Sequence, residues 1–199
     1  MRRHLLVAAA VLAAAWHPAA AQRAGFWGGI SIGPGARTAR CDSCGAHGPT
    51  VAPAAIGRVG YTLSPRVLIG VEIDLWSQAK TDIAAGATTL GLTWYPVPRR
   101  GFFVKGGIGS SWFRRQTGSD DDNRPIYASG SGPGFMVGLG WDGQATPTVS
   151  FTASVTLWGG VPGDARDGFY METPFGTFGQ PDRGLSQVAV QVGIGMTFH

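Results

Sequence analysis

The residues of this sequence that could do chemistry fall into a few short groups. Cys41-Asp42-Ser43-Cys44 holds the only two cysteines, and His47 follows. A C-x-x-C pair can be a redox centre, part of a metal site or a disulfide. Thioredoxin-like redox chemistry needs a helix directly after the motif, and Gly45-Ala46-His47-Gly48-Pro49 does not start one. Zinc would want a fourth ligand beyond Cys41, Cys44 and His47, and haem attachment wants the histidine directly after the second cysteine. Gly29-Ile30-Ser31-Ile32-Gly33 matches the G-x-S-x-G nucleophile pattern, but that pattern works at a strand-to-helix turn, and here the chain runs on through Pro34-Gly35. Gly107-Ile108-Gly109 and Gly193-Ile194-Gly195 imitate half a dinucleotide fingerprint, with no helix after either. The acidic run Ser119-Asp120-Asp121-Asp122-Asn123 offers hard oxygen ligands, yet consecutive aspartates fan apart and lack the alternate spacing of a calcium loop. A solvated loop tip is the expectation there. No cofactor and no metal follow from any of these groups.

Arg58, Glu72, Asp74 and Lys105 are of a different kind, because each is a lone charge inside an apolar, alternating segment. What they can do depends on the elements that hold them. Arg2, Arg3 and His4 precede an apolar run from Leu5 to Trp16, and Ala19-Ala20-Ala21 offers a cleavage site before Gln22. Residues 1–21 therefore read as a secretory signal peptide, and 22–199 as one domain. In an exported chain Cys41 and Cys44 are expected to form a small disulfide. The formal net charge is +4, part of it in the leader, which gives no reason to invoke nucleic acid. No later stretch approaches twenty continuous apolar residues, so no transmembrane helix is expected.

Period-two alternation, the mark of a strand with two unlike faces, recurs eight times. The segments begin at Phe26, Ala55, Val67, Thr89, Phe102, Phe135, Val149 and Ser186. Short turns are expected at 62–65, 96–101 and 142–147, each marked by Pro or Gly. Long polar loops are expected at 33–50, 76–85, 114–133 and 159–186. The two kinds alternate along the chain, as periplasmic turns and external loops do in an outer-membrane barrel. In a soluble barrel the second face would carry lysines and glutamates. Here it is mostly Gly, Ser, Thr and Ala, suited to a narrow lumen, and Arg58, Glu72, Asp74 and Lys105 all lie on it. The apolar face therefore looks at lipid, since a charge there would cost roughly 2–4 kcal/mol. Phe26, Tyr61, Trp94, Phe102, Trp141 and Phe198 sit on that face at the turn-side ends, as an interfacial girdle would. Leu75-Trp76, Trp112-Phe113 and Leu157-Trp158 are expected to form the girdle at the other end.

"TTLGLTWYPVPRRGFFVKGGIG" and the closing strand "SQVAVQVGIGMTFH" resemble the small outer-membrane β-barrel family, which includes the outer-membrane protein A transmembrane domain and its X-type relatives. The resemblance implies an all-β, eight-stranded antiparallel up-and-down transmembrane barrel from about Phe26 onward. It implies a C-terminal strand read by the outer-membrane assembly machinery, with Phe198 as the terminal aromatic, here followed by His199. The expected setting is the cell outer membrane, both termini periplasmic and the long loops outside, with membrane lipids around a monomer. The leading expectation for function is a structural or surface-interaction role through the loops, where an extracellular partner would bind. The alternative is a narrow ion or small-solute channel through a lumen lined by Arg58, Glu72, Asp74 and Lys105. A lipid-modifying enzyme is the third reading, but acyl transfer wants a serine beside a histidine. The mature chain offers only His47 and His199, neither beside such a serine in sequence.

Overall fold

The computed structural model describes residues 25–42, 45–119, 125–167, 171–173, 176–178 and 182–199. The expected leader, Cys44 of the expected disulfide and most of the acidic run lie outside the described residues. The strands are β1 (Gly25–Cys41), β2 (Gly45–Ser64), β3 (Val67–Gln78), β4 (Ile83–Trp94), β5 (Phe102–Ser119), β6 (Pro125–Thr146), β7 (Val149–Asp167), β8 (Met171–Thr173), β9 (Gly176–Phe178) and β10 (Asp182–Phe198). Eight of them close one antiparallel ring in the order β1-β10-β7-β6-β5-β4-β3-β2, while β8 and β9 pair only with each other. Each ring strand thus lies beside its neighbour in sequence, and β1 meets β10 to complete the circle. Closure leaves no edge strand, so every ring strand is hydrogen-bonded to a neighbour on both sides, as a lipid surrounding demands.

The ring is level at the turn end, where Val67 faces Trp94, Phe102 faces Trp141 and Val149 faces Phe198. Strands β3 and β4 have 12 residues each, little more than the roughly 9–11 that a tilted strand needs to cross a bilayer. β6 has 22 and β7 has 19, and their surplus projects at the opposite end. Pairing of β4 with β5 stops at Ile83 and Arg115, but β5 and β6 stay paired out to Ser119 and Pro125. Much of what the sequence suggests as long loops is therefore strand: β1 runs to Cys41, β2 starts at Gly45, and the 79–82 connection is a single 3-10 turn. Likewise the turn expected at 142–147 shrinks to Pro147-Thr148, because β6 continues to Thr146.

The two faces separate as the alternation predicts. Ile30, Val59, Leu92, Ile108 and Ile194 are between 51% and 77% exposed, whereas Arg58, Glu72, Asp74 and Lys105 are at most 8% exposed. A water-soluble fold has the reverse arrangement. Phe26, Tyr61, Trp94, Phe102 and Phe198 are exposed at the turn end, and Trp141 is half-buried there, its indole donating to the Arg100 carbonyl at 2.8 Å. Phe26 and Tyr61 meet edge to face, 5.4 Å between centroids. The second girdle is not found as expected: Trp76, Phe113 and Trp158 turn into the lumen and are buried. Nor is the lumen lined only by small residues, for Trp27, Leu68, Tyr95 and Phe103 pack together at its turn end.

Candidate functional site

The interior of the ring brings the lone charges together, and alternation explains how. Arg58 and Glu72 are direct partners across β2 and β3, Glu72 faces Thr89 on β4, and Thr93 on β4 faces Lys105 on β5. All therefore point inward within a few rungs of one another. They do not form a single network. Lys105 Nζ donates to Glu72 Oε1 in a buried ion pair. Arg58 turns away from its cross-strand partner and reaches over the lumen, where Nη2 donates to Thr152 Oγ1 at 3.0 Å and Thr197 Oγ1 at 2.6 Å. Asp74 accepts a hydrogen bond from Gln191 Nε2 and lies near enough to the Lys105–Glu72 pair for both charges to act on it.

Arg58's counter-charge is Asp142, 3.8 Å away. The same carboxylate accepts from Thr152 Oγ1 at 2.6 Å and from the Tyr95 hydroxyl. Sequence reasoning placed Asp142 in a turn, yet it shares the parity of Met136, Gly138 and Gly140 along β6, and that signal assigns it to the lumen. Below this group lies the cluster of Trp27, Leu68, Tyr95 and Phe103; the Arg58 guanidinium stands 5.9 Å from the Trp27 ring and 5.5 Å from the Phe103 ring. A charge over aromatic faces is partly compensated by the ring quadrupoles. Space for these long side chains comes from glycine. A Cβ on Gly138 would stand 2.8 Å from Lys105 Cε, and one on Gly140 would stand 2.4 Å from Phe103 Cζ.

At the loop end Arg37 is buried and lies 5.3 Å from the Trp76 ring and 5.0 Å from the Phe113 ring. Its Nε donates to Gln187 Oε1 at 2.9 Å. Gln187 Nε2 in turn donates to Ser111 Oγ and to the Trp112 carbonyl, each at 2.9 Å. The Trp76 indole donates to the Gly35 carbonyl at 2.9 Å, which fixes its ring across the bore. Arg37, Gln187 and Gln191 were not picked out from the sequence as site residues, though their parity puts all three on the lumenal face.

Among the described residues the buried lumenal charges are Arg37, Arg58 and Lys105 against Glu72, Asp74 and Asp142, three of each sign. Aromatic side chains stop both ends. Such an arrangement can hold a barrel shut and rigid, since breaking either ion pair would strand a charge in low dielectric. Of the other sequence candidates, Cys41 is buried at the end of β1, and Ser31 is buried on the lumenal face. His199 Nε2 does reach Ser150 Oγ, at 3.4 Å, a pairing the linear sequence does not suggest. Ser150 is 2% exposed, and the His199 amide donates to the Thr148 carbonyl at 2.9 Å, so this contact ties the C-terminus to the β6–β7 turn.

Comparison with known proteins agrees with the ring. The family model described as outer membrane protein beta-barrel domain matches residues 6–198. Among solved structures, Neisserial surface protein A aligns with a TM-score of 0.54 at 12% identity, covering 88% of this chain and 97% of that one. Ail, the attachment invasion locus protein of Yersinia pestis, solved with the heparin analogue sucrose octasulfate, aligns with a TM-score of 0.53 at 12% identity, covering 88% and 99%. At that identity the likeness is one of fold. No curated protein sequence matches the chain.

Proposed function

We propose, from the premise that the chain belongs to the outer-membrane protein β-barrel domain family, that it is a closed-lumen anchor whose work is done by the segments it holds above the membrane. The observation that carries this reading is the filled bore. Lys105 is paired with Glu72 and Arg58 with Asp142, and Trp27 and Phe103 at one end and Trp76 and Phe113 at the other lie across the path an ion would take. A channel would need those charges hydrated and lining an opening. Catalysis would need a nucleophile that a lipid could reach, whereas Ser31 and Ser150 are both buried.

In this reading the short connections at Pro65-Arg66 and Pro147-Thr148 face the periplasm with both termini, and the extended hairpins of β5–β6 and β7–β10 face outward. Long strands carried past the rim give a rigid platform, and binding residues tend to sit on segments so supported. The closed ring needs no second chain to cover an edge, which supports a monomer. An epitope inserted within residues 120–124 is expected to bind antibody on intact cells, and one inserted at 147–148 only after permeabilisation. The opposite pattern, or no surface exposure of the first epitope, would overturn the assignment.

A further inference from the structure

One buried acid of the bore has more acceptors than the structure gives it donors. Asp74 is 0% exposed; its Oδ1 accepts from Gln191 Nε2, while its Oδ2 has no hydrogen-bond partner. Gln191 is 1% exposed and in the same position, for its Oε1 is enclosed and finds no donor either. Two unsatisfied acceptors thus flank one hydrogen bond between β3 and β10, from residues 117 apart in sequence. Buried polar atoms in native proteins are almost always satisfied. Both oxygens are sealed from solvent, so neither a bound water nor an ion can supply what is missing.

Nor does a base stand ready to balance an ionised Asp74. Among the described residues the other buried charges of the bore are Arg37 on β1, Arg58 on β2, Glu72 on β3, Lys105 on β5 and Asp142 on β6; β4, β7 and β10 bring none. Lys105 and Glu72 both act on Asp74, but as an ion pair they carry no net charge. Arg58 is committed to Thr152 and Thr197, with Asp142 as its counter-charge. Arg37 donates to Gln187 and lies against the Trp76 and Phe113 rings. A buried carboxyl without a base of its own takes up a proton instead of keeping its charge.

A proton answers both shortages at once and needs no space of its own. We infer that Asp74 is held as the neutral acid, its Oδ2 hydroxyl donating to Gln191 Oε1 while Gln191 Nε2 donates to Oδ1. A protonated carboxyl and a primary amide each present one donor beside one acceptor, so two antiparallel hydrogen bonds close a ring between them. The ring latches β3 to β10 across the bore, past the two strands that separate them in the barrel. The described lumen then holds three bases against two ionised acids, and the odd charge is that of Arg37, set against two aromatic faces. This inference does not rest on the surface role proposed above, because the latch is needed whatever the outer hairpins bind.

Infrared spectroscopy of the full barrel, folded in an ester-free detergent at neutral pH, tests it. The wild-type chain is expected to show a carboxylic-acid carbonyl band, separate from the carboxylate and backbone bands, that moves down after refolding in deuterium oxide. Asp74→Asn is expected to lack that band. No acid band in the wild type, or its survival in Asp74→Asn, would overturn the inference. The urea midpoint gives a second readout. Asparagine can rebuild the ring, donating to Gln191 Oε1 and accepting from Nε2, so Asp74→Asn is expected to unfold at a midpoint no lower than the wild type. Gln191→Leu removes both partners of the acid and is expected to unfold earlier. A fall in Asp74→Asn as large as that in Lys105→Met would mean that an ionised Asp74 holds the lumen together, and would refute the latch. Should Gln191→Leu fail to fold, the acid band and Asp74→Asn still decide.

Discussion

Replacing Lys105 with methionine should be among the most damaging single changes in the barrel that leave the backbone untouched. Methionine keeps most of the stem that packs against Gly138, so the loss is mainly the ammonium. Its partner Glu72 would then be a carboxylate with a side chain 7% exposed and no base left beside it, because Arg58 is committed to Asp142, Thr152 and Thr197. Breaking a buried pair from one side costs about 3–5 kcal/mol, whereas replacing both partners by uncharged groups of similar shape is often close to neutral. Lys105→Met is therefore expected to cost about 3–5 kcal/mol and the double variant Glu72→Gln/Lys105→Met much less, giving a coupling of at least about 2 kcal/mol. The assay is urea unfolding of barrels refolded into lipid vesicles, followed by tryptophan fluorescence, with the slope checked for constancy. Single variants that each cost under about 1 kcal/mol and simply add would refute the reasoning. They would mean that the pair is hydrated and the bore wet.

Other expectations rest on separate contacts. Gly140→Ala puts a Cβ 2.4 Å from Phe103 Cζ and 2.5 Å from the Ala153 carbonyl, and should cost about 1–3 kcal/mol in the same unfolding assay. Asp142→Asn removes the charge beside Arg58 and leaves one oxygen where the carboxylate uses two, Oδ2 for Tyr95 and Oδ1 for Thr152, so a loss approaching that of Lys105→Met is expected in the same unfolding assay. Leu90→Arg puts a charge on the lipid face in mid-strand and should cost roughly 2–4 kcal/mol, while Ser119→Arg, past the last β4–β5 pair, should cost nearly nothing. The expected Cys41–Cys44 disulfide predicts that neither thiol takes up an alkylating reagent in the unfolded chain until a reductant is added, read by mass.

The alternation of apolar and small residues was enough to place the ring, its strand number and four of the six buried charges of the described lumen. It held because lipid imposes one strict demand on one face. Past the rim that demand ends, so Arg37 to Cys41 and Arg114 to Ser119 lose their apolar alternation while their backbone pairing continues, and the sequence reads there as loop. Arg37 belongs to these extensions and was overlooked for that reason; Gln187 lies within the closing strand, on its second face, and as an uncharged residue did not stand out there. Asp142 was hidden differently: Gly143, Pro147 and polar neighbours read as a turn, yet its parity along β6 points inward. Trp76, Phe113 and Trp158 each stand beside an outward residue at the girdle level, so residue type suggested an interface. Counting by twos from Glu72, Lys105 and Thr156 sends all three inward. Which acid Arg58 would choose could not follow from register at all, because its partner lies across the bore on a strand far away in sequence.

The most direct test of the closed bore is single-channel recording from the purified barrel in a planar bilayer. The filled lumen, with Lys105 on Glu72 and Arg58 on Asp142, predicts a quiet membrane for the wild-type chain across the accessible voltage range. Discrete openings whose ion selectivity changes on replacing Lys105 or Glu72 would contradict it, and would make those charges the working site of a pore.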